Sequence, residues 1–183
     1  ENTRFIYSGI VFAGFNMPGS NNNKVLNEKD CTQKSARTPL QCEAANQEYL
    51  ERDKANISWM QEAFNQAKQT KAKGIVLVVQ GDPGFDLPET EDLDETTLAK
   101  HSGYTEFMKQ LAEQTQNFEG QVLFVHGDTH FFKQDKPLFN PGKMLTNFTR
   151  LQTFGSPSLH WVKVNVNLNS PNIFAIEPVV VKH

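Results

Sequence analysis

Residues 75–82 of the chain read IVLVVQGD, and this stretch decides the fold class. Its apolar run shows no alternation with polar residues, which is typical of a strand buried on both faces. An amphipathic helical pattern precedes it over residues 43–70, because apolar side chains recur there at intervals of three, four and seven positions. The predicted apolar stripe comprises Leu50, Ile57, Met60, Phe64 and Ala67. A helix followed directly by a buried strand predicts an α/β domain.

The same arrangement recurs downstream. A second amphipathic pattern covers residues 104–115, with Ser102 as the expected N-cap and Gly120 after its end. Residues 122–130 then read VLFVHGDTH, a second buried strand followed by polar residues. Both strands therefore end in short polar motifs, QGD and HGDTH. Because ligands of open α/β sheets bind at the carboxyl ends of the strands, we expect a site where these motifs meet.

The flanking segments extend this sheet at both ends of the chain. Residues 4–16 predict two short strands that turn at Ser8–Gly9 and lead to an Asn-rich loop. Residues 159–168 alternate between apolar and polar side chains, which predicts an antiparallel strand with one solvated face. Residues 147–154 and 173–181 are its expected partners, and they give the α/β domain an α+β tendency. No repeat or linker divides the chain, so residues 1–183 are expected to form a single domain.

The composition argues against several classes of function. The 183 residues carry a net charge of -3, which provides no electrostatic reason for nucleic acid to be a partner. No apolar run approaches the roughly 20 residues of a spanning helix, so no membrane span is predicted. The acidic segment over residues 87–99 does not follow the ligand spacing of a calcium loop, and we expect it to be solvated.

Two cysteines, Cys31 and Cys42, flank a polar segment with few apolar side chains. We predict a disulfide that closes a surface loop, and the alternative is a pair of exposed free thiols. A disulfide indicates an oxidising compartment, so a secreted or periplasmic location is expected.

The motif after the second buried strand suits metal binding. Asp128 and His130 are two residues apart on a turn that contains Gly127, and a carboxylate with an imidazole can ligate a divalent cation. His126, at the end of the strand, is the candidate catalytic residue. We expect it to orient a metal ligand without binding the metal itself. The alternative interpretation is an ordinary turn in which Asp128 caps the backbone.

The order of these elements resembles the C-terminal half of the calcineurin-like metallophosphoesterases. Those enzymes end a buried strand with a Gly–His–x–His motif whose histidines bind metal. Here Gly127 matches the Gly, Asp128 occupies the first His position and His130 matches the second. Gln80 stands where an earlier strand of the family ends in a metal-binding His. The resemblance is closest to a subgroup with Gln and Gly–Asp–Thr–His at these places.

The resemblance implies a part of a four-layer αββα sandwich, with mixed sheets and antiparallel C-terminal strands. It also implies a phosphoric-ester hydrolase in which two divalent ions (Mn, Fe, Zn or Mg) activate water for attack on phosphorus. The implied metal ligands are Gln80, Asp128 and His130. The implied substrate contacts are Asn16, Asn21 and Asn22. Oxygen ligands in place of imidazole favour Mn, Mg or Fe over Zn.

The first three metal motifs of that family are absent from this chain. We therefore expect the chain to be the C-terminal portion of a larger phosphoesterase domain, completed by an N-terminal half or another subunit and inactive alone. The alternative is a catalytically inactive binding module with the same fold. An extracellular carbohydrate-binding β domain is a third hypothesis, and it leaves the two helix–strand units unexplained.

Overall fold

The computed structural model of the protein describes residues 2–34, 36–85 and 95–182. Most of the acidic loop expected over residues 87–99 lies outside these ranges. Its last part forms two short 3-10 turns, Glu95–Thr97 and Ala99–His101.

The described residues form ten strands and two long helices. The strands in chain order are β1 (Thr3–Tyr7), β2 (Ile10–Gly14), β3 (Gly74–Val78), β4 (Gln121–His126), β5 (Lys133–Asp135), β6 (Phe139–Asn140), β7 (Lys143–Met144), β8 (Phe148–Gln152), β9 (Trp161–Val166) and β10 (Phe174–Val179). The helices are α1 (Pro39–Gln69) and α2 (Thr105–Gln116). Short turns at Gly19–Asn22 and Asp30–Lys34 lie between β2 and α1.

Six strands form the main sheet, in the order β1-β2-β3-β4-β8-β5. Strands β2, β3, β4 and β8 are parallel, and antiparallel strands β1 and β5 flank them. The predicted N-terminal hairpin is confirmed, because Tyr7 pairs with Ile10 across the Ser8–Gly9 turn. The α/β class with a mixed sheet is confirmed as well.

The C-terminal segment differs from the prediction in one strand. Strand β10 pairs with β9 in an antiparallel ribbon, as expected. The prediction that residues 147–154 also pair with this ribbon is wrong, because β8 lies parallel to β4 in the main sheet. Phe148 and Leu151 of β8 are buried in the cores on opposite faces of that sheet, as a central strand requires.

Helix α1 begins at Pro39, four residues before the predicted start. Thr38 caps it with a capping box: its hydroxyl accepts the N–H of Gln41 at 3.3 Å, and its own N–H donates to the Gln41 side chain at 2.8 Å. The predicted apolar stripe is wrong at Leu50, which is 58% exposed, while Tyr49 is buried. One residue is about 100° of helical rotation, so Tyr49 points in nearly the same direction as Met60, whereas Leu50 points about 80° away from it.

Helix α2 lacks the predicted N-cap. Ser102 is the C-cap of the preceding 3-10 turn. Tyr104 is the N-cap residue of α2, and its side chain makes no capping hydrogen bond. Ser102 therefore lies before the N-cap position, and its buried hydroxyl has no hydrogen-bond partner among the described residues.

Two cores lie on the two faces of the main sheet. The helices cover one face, where Val11, Ile75, Leu77, Val122 and Phe124 pack against Met60, Phe64, Phe107 and Leu111. The β9–β10 ribbon covers part of the other face, where Val76, Leu123 and Leu151 meet Val162, Val164 and Ile176. The described residues thus form three layers, helices, sheet and ribbon. The four-layer sandwich stays a prediction.

The Cys31–Cys42 disulfide is present, so its prediction is confirmed. Both cysteines are buried rather than placed on the surface, because Cys42 lies in the first turns of α1 under the turn Asp30–Lys34. Across the described part of the chain, no helix has the length and apolar character needed to cross a membrane.

Candidate functional site

An unusual left-handed turn follows β2 at the carboxyl edge of the main sheet. Four successive residues, Ser20 to Asn23, have φ between 53° and 59°. A left-handed conformation costs roughly 1–2 kcal/mol per residue, and Asn tolerates it better than most residues. The three asparagines of this segment thus make the turn accessible, and tertiary contacts must hold it. We call Gly19–Asn23 the Asn turn.

Arg52 of α1 anchors the Asn turn from below. Its Nη2 donates to the carbonyl oxygen of Asn22 at 2.9 Å, and its Nη1 donates to the Asn22 side chain. Its Nε bonds Glu48 at 2.6 Å, which fixes the guanidinium. Arg52 was not among the residues predicted from the sequence. Its position on the face of α1 below the strand ends is a tertiary property, so the sequence carries no signal for it.

The asparagines predicted to contact substrate take part in these internal contacts. Asn22 is fully buried and donates to the carbonyl of Gly103 at 2.9 Å. The Asn21 side-chain oxygen accepts the N–H of Gly103 at 2.7 Å. Asn16 is exposed, and its carbonyl accepts from Asn56 at 2.8 Å. In this geometry Asn21 and Asn22 shape the edge, while Asn16 presents a side chain to solvent.

A second strained turn follows β4, and we call Gly127–His130 the GDTH turn. Asp128 and His130 have φ of 72° and 59°, respectively, so two non-glycine residues in four are left-handed. Such strain costs of order 1–3 kcal/mol per residue and is concentrated at functional sites in proteins. Both side chains are exposed at the strand end.

The two turns meet through Gln80, which lies two positions beyond the end of β3. The Gln80 side-chain oxygen accepts the N–H of Gly19, and its Nε2 lies 3.4 Å from Asp128 Oδ1. The amide of Asp82 lies 3.5 Å from Asp128 Oδ2. Gln80 therefore positions Asp128 in this geometry, because its oxygen is already used by the backbone. Its role as a metal ligand stays a prediction.

Gly19 forms the floor beneath the Asp128 carboxylate. A Cβ atom at this position would lie 2.5 Å from Asp128 Oδ1 and 2.6 Å from Oδ2. No other residue type fits there unless the carboxylate moves. The requirement for glycine thus comes from the contact between the two turns.

Asp82 is a second carboxylate at this edge. Its Oδ1 accepts the N–H of Gly84 at 3.1 Å and lies 3.8 Å from His126 Nδ1. Asp82 belongs to the QGD motif, but it was not among the predicted site residues. The sequence signal that could have identified Asp82 is its position two residues after Gln80, in the polar segment that follows β3.

His126 lies inside the sheet edge rather than on it. It is 1% exposed, and its ring centroid is 6.1 Å from that of Phe85 and 5.9 Å from that of Phe124. Burial lowers the pKa of His126, and the carboxylate of Asp82 opposes that shift. Nδ1 lies 3.2 Å from the Gly127 carbonyl, and Nε2 is buried with no hydrogen-bond partner within the described ranges. His126 therefore lies beside Asp82 without a hydrogen bond to it, and its catalytic role stays a prediction.

His130 has the tautomer that metal ligation needs. Its Nδ1 lies 2.7 Å from the carbonyl oxygen of Ser156, so Nδ1 carries the proton. Nε2 then keeps its lone pair, as in histidines that bind metals through the nitrogen opposite a backbone hydrogen bond. The ring rests on Gly155, where a Cβ atom would lie 2.3 Å from Cδ2.

The donor set at this edge suits a hard cation. In residues 2–34, 36–85 and 95–182, no group of three or more His, Cys, Asp and Glu side chains is placed to hold a metal ion. Asp82 and Asp128 are two carboxylates on adjoining strand ends. One or two carboxylates, supplemented by water and phosphate oxygens, are the usual protein contribution to a Mg²⁺ site. A closed zinc site requires four protein ligands, which these residues do not supply.

A cleft of about 650 Å³ opens beside the two carboxylates. Its lining contains three cationic side chains, Lys24, Arg37 and Lys100, none of which was predicted as a site residue. They come from three segments that are distant in sequence, and only the packing brings them together.

Comparison of the chain with family models, with curated proteins and with solved structures finds no match. The resemblance to the metallophosphoesterases therefore stays a prediction, and functional inference begins from the geometry of this edge.

Proposed function

We propose that the carboxyl edge of the main sheet binds a divalent cation and serves the metal-dependent hydrolysis of phosphoric esters. One observation carries the proposal: the exposed carboxylate of Asp128 is held over Gly19, beside Gln80 and Asp82, where parallel strands end. Strand ends of this kind are where α/β proteins bind ligands. A strained turn that presents an exposed carboxylate is poorly explained by stability alone.

Each side chain has a task in this proposal. Asp128 and Asp82 would hold the cation together with water and phosphate oxygens. His130 would be a ligand of a second ion. A bound cation lowers the pKa of its water and polarises a phosphoryl oxygen. Gln80 holds Asp128 in place, His126 lies 3.8 Å from Asp82 inside the sheet, and Asn16 offers a polar contact to substrate.

A second ion would require ligands beyond those of the described residues. We propose that an N-terminal half or another subunit supplies them, as the resemblance implies. The disulfide supports an oxidising compartment for the protein, secreted or periplasmic.

A second candidate function is a binding module that retains the phosphate site and lacks hydrolysis. The small number of metal-type ligands in the described part of the chain favours it. In that case the edge still binds a cation and a phosphorylated ligand, and turnover is absent.

The test is Mn²⁺ binding by isothermal titration calorimetry. We expect Asp128→Asn to weaken Mn²⁺ binding at least about tenfold, because it removes a charged ligand. Glu177→Gln is the matched control, since Glu177 is exposed on the β9–β10 ribbon, and it should leave the affinity unchanged within about twofold. Equal affinities for wild type and Asp128→Asn would refute the metal site.

A pair of glycine variants tests the contact between the two turns. Gly19→Ala should also weaken Mn²⁺ binding at least about tenfold, because the new methyl group displaces the Asp128 carboxylate. Gly127→Ala is the control from the GDTH turn, since its Cβ would meet no neighbour closer than 3.7 Å. Release of p-nitrophenol from bis(p-nitrophenyl) phosphate then separates the two functions, because only the hydrolase hypothesis expects metal-dependent turnover.

A further inference from the structure

The cleft of about 650 Å³ connects the candidate metal site to the disulfide-closed loop. Its lining contains four carboxylates, Asp30, Asp82, Glu95 and Asp128. It also contains three cations: Lys24 and Arg37, from the segment between the Asn turn and α1, and Lys100, from the turn before α2. A ligand in this cleft therefore meets carboxylates and cations from separate segments.

The cations and the carboxylates of the cleft differ in their hydrogen-bond and ion-pair partners. Asp82 accepts the N–H of Gly84, and Glu95 accepts the N–H of Phe85 at 3.0 Å. In the described ranges, no ion pair involves Lys24, Arg37 or Lys100. No carboxylate of the described residues thus forms an ion pair with these cations.

One of the cations, Lys24, is held in place by neutral groups. It is half-buried, with Nζ 3.4 Å from the carbonyl of Ser102 and 5.5 Å from the ring centroid of Tyr49. A cation that is partly immobilised loses less side-chain entropy when it binds an anion. Arg37 is half-buried as well, and its backbone is fixed by donation of its N–H to the carbonyl of Cys31 at 3.1 Å.

We propose that Lys24, Arg37 and Lys100 form a second anion subsite. Resting on the proposed function, this assigns the substrate class: phosphoric esters that carry a further phosphate or carboxylate group. The scissile phosphate lies at Asp82 and Asp128, and the second anionic group lies at the cations. Arg37 supplies the planar fork that binds phosphate or carboxylate through two parallel hydrogen bonds.

The disulfide controls this subsite. Arg37 lies within the loop that the Cys31–Cys42 bridge closes, and its backbone bonds Cys31 directly. Reduction releases this loop from the first turns of α1. Ordering Arg37 when a ligand binds then costs conformational entropy, which weakens binding. The subsite is therefore strongest in the oxidised protein.

The experiment measures binding of inorganic pyrophosphate by isothermal titration calorimetry in the presence of EDTA, so that no metal contributes. We expect Arg37→Gln and Lys24→Gln each to weaken binding at least about fivefold, and Lys24→Arg to retain most of it. Lys163→Gln is the control, since Lys163 lies on the β9–β10 ribbon away from the cleft, and it should change the affinity less than about twofold. Reduction of the disulfide should weaken binding as well.

Several results would overturn the subsite. These are an oxidised wild type that does not bind pyrophosphate, or Arg37→Gln and Lys24→Gln variants that bind as tightly as wild type while melting at the same temperature. A Mn²⁺ titration of the same protein variants in buffer without EDTA separates the two proposals. Mn²⁺ binding that persists without pyrophosphate binding refutes the subsite alone. Pyrophosphate binding that depends on Arg37 without any Mn²⁺ binding refutes the metal site alone.

Discussion

The helix-covered face of the main sheet and its carboxyl edge are built from opposite kinds of contact. The face is apolar and sealed, with Phe64, Phe107, Phe124 and Phe148 all at 0% exposure. The edge has left-handed backbone in two turns, buried polar groups such as Asn22 and His126, and the exposed carboxylate of Asp128. Backbone strain of this kind persists only where the surrounding structure holds it. The apolar face therefore stabilises the fold, and the strained edge lowers that stability.

The largest expected effect lies on the sealed face. Phe64 packs edge-on against Phe118 with ring centroids 5.7 Å apart, and Phe64→Ala should destabilise the fold by about 3–5 kcal/mol. Leu50→Ala on the exposed side of the same helix should cost less than about 0.5 kcal/mol. Urea unfolding measures both, and similar losses for the two variants would contradict this division of the helix.

Arg52 connects the helix to the strained edge. Arg52→Ala should destabilise the protein by about 2–3 kcal/mol, because it leaves the buried oxygens of Asn22 without donors. Arg52→Lys should recover part of this, since one amine replaces a two-pronged contact. Chemical denaturation gives the energies, and hydrogen exchange of the Asn turn should accelerate in Arg52→Ala. Unchanged exchange there would mean that the turn holds itself.

Asp53 is a buried residue that follows Arg52 in α1. Burial raises the pKa of Asp53 to about 6, with Arg52 opposing the shift and Glu106 adding to it. The folded state thus favours the protonated acid, so its stabilising contribution is complete below about pH 4 and is lost as pH rises through about 6. Two pH units correspond to about 2–3 kcal/mol, so Asp53→Asn should stabilise the protein by about 2 kcal/mol at pH 7.

The same variant should have a much smaller effect at about pH 4, where the acid is protonated in the folded state and about half protonated in the unfolded state. Thermal unfolding of wild type and Asp53→Asn across about pH 4–7 checks this. A difference between the two proteins that stays constant with pH would show that Asp53 does not titrate as its burial requires.

The smallest effect concerns the exposed end of the Asn turn. Asn23 has φ of 59° and ψ of 10°, so Asn23→Ala should cost about 1 kcal/mol, while Asn23→Gly should be neutral or slightly stabilising. Melting temperatures of the two variants decide the point. If alanine were tolerated as well as glycine, the left-handed conformation would not be a source of strain at this edge.

Local patterns predicted most of the strands. The unbroken apolar runs of β3 and β4 identified central strands, and β1–β2 and β9–β10 were predicted from their alternation and turns. Strand β8 was misassigned because Phe148 and Leu151 are separated by polar Thr149 and Arg150. That spacing resembles a half-exposed strand, whereas buried Arg150 is paired with Asp135 of neighbouring β5.

The candidate site was predictable only in outline. The polar residues after the strands pointed to Gln80, Asp128 and His130, because chain order alone shows which residues come directly after a strand. That Gln80 uses its oxygen on Gly19, and that Asn22 is buried by Arg52, depends on contacts across 61 and 30 positions. Such contacts leave no periodicity in the sequence.

The sequence by itself determined the α/β class, the central strands β3 and β4, the disulfide and the strand ends where polar chemistry collects. These are consequences of local apolar patterns and of chain order. Only the tertiary structure decided the two left-handed turns, the floor of Gly19 under Asp128, and the joining of Lys24, Arg37 and Lys100 in one cleft. The physical reason is that strain and charge clustering exist only between segments, when the packed core holds distant backbone positions against each other.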